Sequence, residues 1–190
     1  MGNAAELRSQ LVTILRAKAV RRLPEPVQLA SGQMSSDFVD GKEGLASWRD
    51  LALAGHAIAA TFAEAGISFN AVGGLTLGAD ALSIAVAAAA DCNWFFVRKE
   101  AKGRGTGRQI EGTQLNTSHR VLLVDDAVTS GGSILQAHEL VVPSGAAIVG
   151  ASTLIDRSDV AAGKFAALGV PYFPMATYGD LGIDPVIFGG

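Results

Sequence analysis

The densest group of chemically useful side chains lies in Val121-Leu122-Leu123-Val124-Asp125-Asp126-Ala127-Val128-Thr129-Ser130-Gly131-Gly132-Ser133. The apolar run reads as a strand buried on both faces, with two adjacent acids at its end. The hydroxyls and glycines that follow open a helix, so backbone N–H groups and a helix N-terminus converge on one point, which suits a phosphate. The acids would repel a phosphate. They suit polyol hydroxyls, a bound Mg2+ or a developing cation, and a ribose phosphate satisfies both halves. No Lys completes a Walker A here, and Gly131-Gly132 lacks the third glycine of a G-x-G-x-x-G.

A second segment runs from Phe96 to Gly112. Between residues 98 and 108 it holds Arg98, Lys99, Lys102, Arg104 and Arg108 interleaved with three glycines. Such a loop is cationic and pliant, suited to closing over an anion such as pyrophosphate. On composition alone the alternative reading is a solvated surface loop or a nonspecific basic patch. A third segment, Val72-Gly73-Gly74-Leu75-Thr76-Leu77-Gly78-Ala79-Asp80, reads as a strand-to-helix turn whose glycines permit close backbone approach.

Residues 121–133 resemble the phosphoribosyl pyrophosphate (PRPP) motif of type I phosphoribosyltransferases. The string Val97-Arg98-Lys99, then Lys102 and Ile110-Glu111-Gly112, resembles the catalytic loop of the orotate phosphoribosyltransferases. The resemblance implies that Asp125 and Asp126 hold the ribose hydroxyls, that Ala127, Val128, Thr129, Ser130, Gly131, Gly132 and Ser133 wrap the 5'-phosphate, and that Gly73 and Gly74 belong to a pyrophosphate turn. It implies further that Arg98, Lys99, Lys102 and Arg104 contact the pyrophosphate, with Lys102, Arg104, Asp125 and Asp126 carrying catalysis.

Leu29-Ala30-Ser31-Gly32 and Ser35-Ser36-Asp37-Phe38-Val39-Asp40 resemble the same family's base-binding hood. By that resemblance Ser31, Gly32, Phe38, Thr129 and Arg157 face the base, Phe38 by stacking and Arg157 by pairing with the orotate carboxylate. A plain core aromatic is the other reading of Phe38, and a surface ion pair with Asp156 or Asp159 the other reading of Arg157. Three positions depart from the family pattern: Arg104 stands where a His is usual, Ala30 where many members carry Lys, and Ser158-Asp159 where an acid and a glycine are usual. Arg104 keeps a cation at the phosphate but cannot plausibly shuttle a proton.

The implied activity is transfer of 5-phosphoribosyl from PRPP to orotate with release of pyrophosphate. Mg2+ is the implied cofactor, with no direct side-chain ligation expected. The implied assembly is a cytoplasmic homodimer that shares loop 99–110 between subunits. Two rival readings use the same fold: a transferase for another nucleobase, and a noncatalytic PRPP-sensing regulator.

These segments need a scaffold, and the pattern supplies one. Helices are expected over 4–20, from an N-cap at Ser47 to Ala65, over 79–90, 133–142 and 159–168. Strands are expected at Asn70–Gly73, Trp94–Val97, Val121–Val124, Ala146–Ile155 and Val170–Thr177, and a hairpin at Val27–Ala30 and Asp37–Val39. The alternation predicts an α/β fold with a mainly parallel sheet flanked by helices on both faces and a small N-terminal hood. One domain spans 1–190, with helix and hood in 1–45 and the α/β core in 46–190.

At 190 residues, 49% hydrophobic and 17% charged, the chain excludes a disordered class. Its net charge of -3 gives no electrostatic case for nucleic acid or an anionic membrane. No apolar stretch reaches the ~20 residues of a membrane span. The lone Cys92 excludes an internal disulfide and suits a reducing compartment.

Overall fold

The computed structural model describes residues 2–28, 32–100 and 108–186. The first helix, α1 (Ala4–Lys18), starts at a capping box in which Asn3 and Glu6 each accept the other's backbone N–H. Leu11 and Leu15 on its inner face are fully buried and share a cluster with Ile58 and Phe62. Thus α1 packs on the core.

The hood is an antiparallel pair, β1 (Val20–Gln28) and β2 (Met34–Val39). β1 begins earlier than the sequence pattern suggests because it runs through Pro24 and Pro26, and the pairing register shifts between Arg22 and Val27. Both strands of a two-stranded sheet are edges, so prolines there need cost no ladder hydrogen bond.

A short helix, α2 (Gly41–Gly44), follows, capped by Asp40, whose carboxylate accepts from the Lys42 and Glu43 amides. α3 (Trp48–Glu64) opens on Ser47, whose hydroxyl accepts the Asp50 N–H at 3.2 Å. It ends where Gly66 takes a left-handed conformation, φ +71°.

The core is a six-stranded sheet built from β3 (Ala71–Leu75), β4 (Asn93–Val97), β5 (Ile110–Gly112), β6 (Arg120–Val128), β7 (Ala147–Asp156) and β8 (Tyr172–Thr177), in the spatial order β5-β4-β3-β6-β7-β8. Strands β4 through β8 in that order are mutually parallel, and only β5, an unexpected three-residue edge strand, is antiparallel. The remaining helices are α4 (Asp80–Ala90), α5 (Gly132–Val141), α6 (Val160–Ala167) and the short α7 (Tyr178–Leu181).

Side chains alternate across the sheet as strand geometry requires. On β6, Leu122 and Val124 join the layer with α1, α3 and α4, whereas Val121 and Leu123 join the layer with Ile134 of α5 and Phe165 of α6. This two-sided burial is why the strand reads as a continuous apolar run.

Strand order decides where a ligand fits. The chain places β4 on one side of β3 and β6 on the other, so the order reverses between β3 and β6. In an open parallel sheet the crevice beyond the carboxyl ends of two such strands is the natural binding site.

Candidate functional site

β6 supplies the acids and outruns its neighbour. Its pairing with β3 ends at Gly73 opposite Leu123, while its pairing with β7 continues to Val128 opposite Asp156. Asp125 and Asp126 therefore lie within the last part of the strand and not beyond its end, as the sequence pattern implied. Their β3 side is open to the turn that follows Leu75.

Asp125 and Asp126 are only 3% and 9% exposed. Asp125 Oδ1 accepts the Asp126 N–H at 3.0 Å, and Asp126 Oδ1 accepts the Ala127 N–H at 2.8 Å. Burial, and then the charge of Asp126, push the Asp125 carboxyl up to about 7. Lys42 approaches from α2, its Nζ 2.5 Å from Asp126 Oδ2. The hydrogen bond to Asp126 is the leading cause that raises the Lys42 ammonium above its usual value.

The turn opposite the acids comprises Thr76, Leu77, Gly78 and Ala79. A Cβ on Gly78 would stand 2.7 Å from Asp125 Oδ1 and 2.6 Å from Asp126 Oδ1, so this backbone passes directly over both carboxylates. Gly73 and Gly74, expected in the turn, lie instead inside β3. A Cβ on Gly73 would meet Phe95 O at 2.3 Å and one on Gly74 would meet Val124 O at 2.0 Å. These two glycines let the sheet close on its neighbours, and the backbone that faces the acids is that of the following turn at Gly78.

The turn expected to hold the phosphate runs from Thr129 to Ser133. Gly131 caps α5 in a left-handed conformation, φ +78°, and no side chain caps that helix among the described residues. Its first amides, at the exposed Gly132 and Ser133, are left facing outward at the positive end of the helix dipole. The turn is tied from behind. Ser158 donates its hydroxyl to Thr129 O at 2.5 Å, Lys164 Nζ donates to Ser130 O at 2.8 Å, and Ala161 of α6 packs against Gly131. With two carbonyls held backward, the amides remain for an anion.

The cationic segment leaves β4 and returns through β5. At its base the Arg98 N–H donates to Gln109 O at 2.8 Å, and the Gln109 side-chain amide donates to Arg98 O. The Arg98 guanidinium lies 3.8 Å from Glu111, and Lys99 is exposed. Lys102, Arg104 and Ser31 lie outside the described residues.

At the hood, Gly32 is exposed with φ +85°. Phe38 is 39% exposed, which removes its reading as a core aromatic. Strand alternation sets it on the opposite face of β2 from the buried Asp37.

Arg157 is 5% exposed and so makes no surface ion pair. One of its terminal nitrogens donates to Asp37 O at 3.0 Å, tying the end of β7 to the hood, while its Nε is buried without a partner among the described residues. Burial lowers its basicity, partly offset by Asp37.

Sequence reasoning did not pick out Lys42, Gly78, Ser158 or Lys164 for these roles. In the sequence Ser158 stands out only as a departure from the family pattern. The open apolar grooves of about 460 and 510 Å³ lie between α3 and α4 and between α5 and α6, away from the acids and without groups for this chemistry.

A pair of buried acids facing a glycine turn at the switch point, beside an uncapped helix N-terminus, defines a phosphoribosyl transferase domain, and that domain family matches residues 47–164. The closer relationship is also clear. The chain belongs to the orotate phosphoribosyltransferase family, being 37% identical over 182 residues to the orotate phosphoribosyltransferase of Corynebacterium glutamicum, with 95% of this chain and 96% of that protein covered. It is 38% identical over 173 residues to the enzyme of that name from Mycobacterium tuberculosis, covering 88% and 95%. The M. tuberculosis crystal structure in complex with PRPP superposes with a TM-score of 0.77 at 33% identity, over 93% of this chain and 99% of that one.

Proposed function

We propose that this protein transfers the 5-phosphoribosyl group of PRPP to orotate and releases pyrophosphate. The observation that carries the reading is the meeting of Asp125, Asp126 and Gly78 beside the open N-terminus of α5. In the reaction the bond from C1' to the pyrophosphate oxygen breaks and its electron pair leaves with pyrophosphate. A ring nitrogen of orotate supplies the pair for the new bond to C1', and its N–H proton leaves with the released pyrophosphate.

The residues divide this work. Ala127 to Ser133 hold the 5'-phosphate on backbone amides and hydroxyls. Asp125 and Asp126 accept from the ribose hydroxyls, fixing the ring as positive charge develops at C1'. The Thr76–Gly78 backbone and the loop cations Arg98, Lys99, Lys102 and Arg104 receive the leaving pyrophosphate, the loop also excluding water. Gly32, Ser31 and Phe38 of the hood, with Thr129 and Arg157, face the base. The buried Nε of Arg157, unpartnered among the described residues, suits an anionic base, since a forked cation pairs well with a carboxylate.

The oxygen-rich surroundings of Asp125 and Asp126 fit Mg2+ as cofactor, an ion that takes oxygen donors and keeps substrate phosphates among them. Pyrophosphate and ribose oxygens would hold it, with the two carboxylates fixing the hydroxyls beside it. Bound there, it would neutralise charge on the leaving group.

The reading extends to a cytoplasmic, single-domain enzyme acting as a homodimer in which loop 99–110 serves the neighbouring site. Among the described residues no helix is long and apolar enough to cross a membrane. Pyrophosphate release that requires both PRPP and orotate tests the proposal; release from PRPP at the same rate without orotate, or no release in the complete mixture, contradicts it.

A further inference from the structure

We propose that Lys42 is a positioning residue that holds the Asp126 carboxylate ready for a ribose hydroxyl and ties the hood to the PRPP site. This rests on the phosphoribosyl transfer proposed above.

The ammonium does not dangle into the site. Asp40 accepts the Lys42 and Glu43 amides at 3.0 and 3.1 Å, which fixes the start of α2. A Cβ on Gly41 would lie 3.3 Å from Asp126 O and 3.4 Å from Asp126 Cβ, so the α2 backbone is packed on Asp126 itself. From that clamp Lys42 Nζ reaches Asp126 Oδ2 at 2.5 Å, while the Ala127 N–H occupies Oδ1 at 2.8 Å. Both oxygens are oriented, and each keeps a lone pair for a hydroxyl.

The pairing is lopsided in exposure. The Asp126 side chain is 13% exposed and that of Lys42 is 57% exposed, so the cation covers the carboxylate from the solvent side. Among the described residues Lys42 is the one cation within 4.0 Å of either acid. Without it two adjacent buried carboxylates would face each other uncompensated, and the Asp126 carboxylate would lose the contact that fixes its rotation.

α2 directly follows β2, and β2 is also held by Arg157 through Asp37 O. The hood is therefore anchored to the ends of both β6 and β7, one anchor at each substrate. Lys42 makes the sugar-side anchor.

The test compares wild type with Lys42→Met and Lys42→Arg by calorimetric PRPP binding, by the KM for each substrate and kcat, and by melting temperature. Partners that orient a functional group typically contribute about 10–100-fold. For Lys42→Met we expect PRPP affinity to fall and PRPP KM to rise by about tenfold or more, with orotate KM at saturating PRPP nearly unchanged and melting temperature lowered only modestly because Asp126 keeps some solvent contact; Lys42→Arg should recover most of the loss. PRPP binding by Lys42→Met equal to wild type overturns the proposal. So does a uniform loss of stability, kcat and both KM values that Lys42→Arg fails to rescue. If wild type binds PRPP but does not consume orotate, the base assignment fails, and the binding comparison still decides the role of Lys42.

Discussion

A Cβ placed on Gly78 would stand 2.6 Å from the Asp126 Oδ1. The turn after β3 and the acids of β6, 48 residues apart, thus form one surface, and nothing larger than a hydrogen fits between them unless a carboxylate moves. Gly78→Ala should displace a carboxylate that the proposed reaction uses to orient the ribose. Small displacements of a positioned group cost about a hundredfold in rate, so kcat/KM for PRPP should fall by about that much. The atoms at risk are side-chain oxygens at the edge of the core, so melting temperature should move little. Wild-type kinetics in Gly78→Ala would separate the turn from the reaction.

Asp125 makes stability depend on pH in an unusual direction. Burial and the neighbouring Asp126 hold its carboxyl up to about 7, against 3.8 for the free group. The folded chain therefore binds a proton more tightly than the unfolded one, so Asp125 favours folding at low pH and this benefit is lost as pH rises from about 4 through about 7. Asp125→Asn removes the penalty. Its melting temperature relative to wild type should be higher at pH 8 than at pH 5, while transfer activity falls at least tenfold for want of the hydroxyl acceptor. A stability difference that is flat across this range would contradict the account.

The turn Thr129–Ser133, to which the proposal gives the 5'-phosphate, is braced through its carbonyls by Ser158 and Lys164. Ser158 donates to Thr129 O and its oxygen accepts the Val160 N–H at 3.2 Å. Ser158→Ala loses both, and the expected destabilisation is about 1–2 kcal/mol. PRPP KM should rise several-fold with kcat less affected. Lys164→Ala, which frees only the exposed contact to Ser130 O, should show a smaller effect of the same kind. Unchanged PRPP KM in both variants would mean the turn needs no bracing from behind.

Much of this scaffold is legible in the sequence. Ser47, with Asp50 three residues on, marks the start of α3, and the run Val121–Val124 marks the central strand because its neighbours bury both faces. The acids and the glycine turn after them announce themselves by adjacency. What escapes is contact between distant segments. Lys42 lies 84 residues from Asp126, and no local spacing points from one to the other. Gly73 and Gly74 draw attention as a pair, yet tight sheet packing explains them, and the solitary Gly78 is the one at the acids. β1 was read short because Pro24 and Pro26 look like breaks until the strand is seen to be an edge.

The cationic loop carries the clearest kinetic expectation. Arg98 and Gln109 close its base by two mutual hydrogen bonds, and Lys102 lies between them in sequence. Removing a charge that stabilises the departing pyrophosphate costs about 3 kcal/mol, or about a hundredfold in kcat. Lys102→Ala should show that loss with an unchanged melting temperature. Near-normal turnover would remove the loop from the chemistry.

The central claim is tested most directly by following orotate absorbance with purified protein and PRPP, with and without Mg2+, beside parallel reactions containing uracil, adenine, guanine or hypoxanthine. The account predicts loss of orotate that requires both PRPP and Mg2+, with no comparable turnover of the other bases. Stable orotate absorbance in the complete mixture, with one of the other bases consumed, would contradict it.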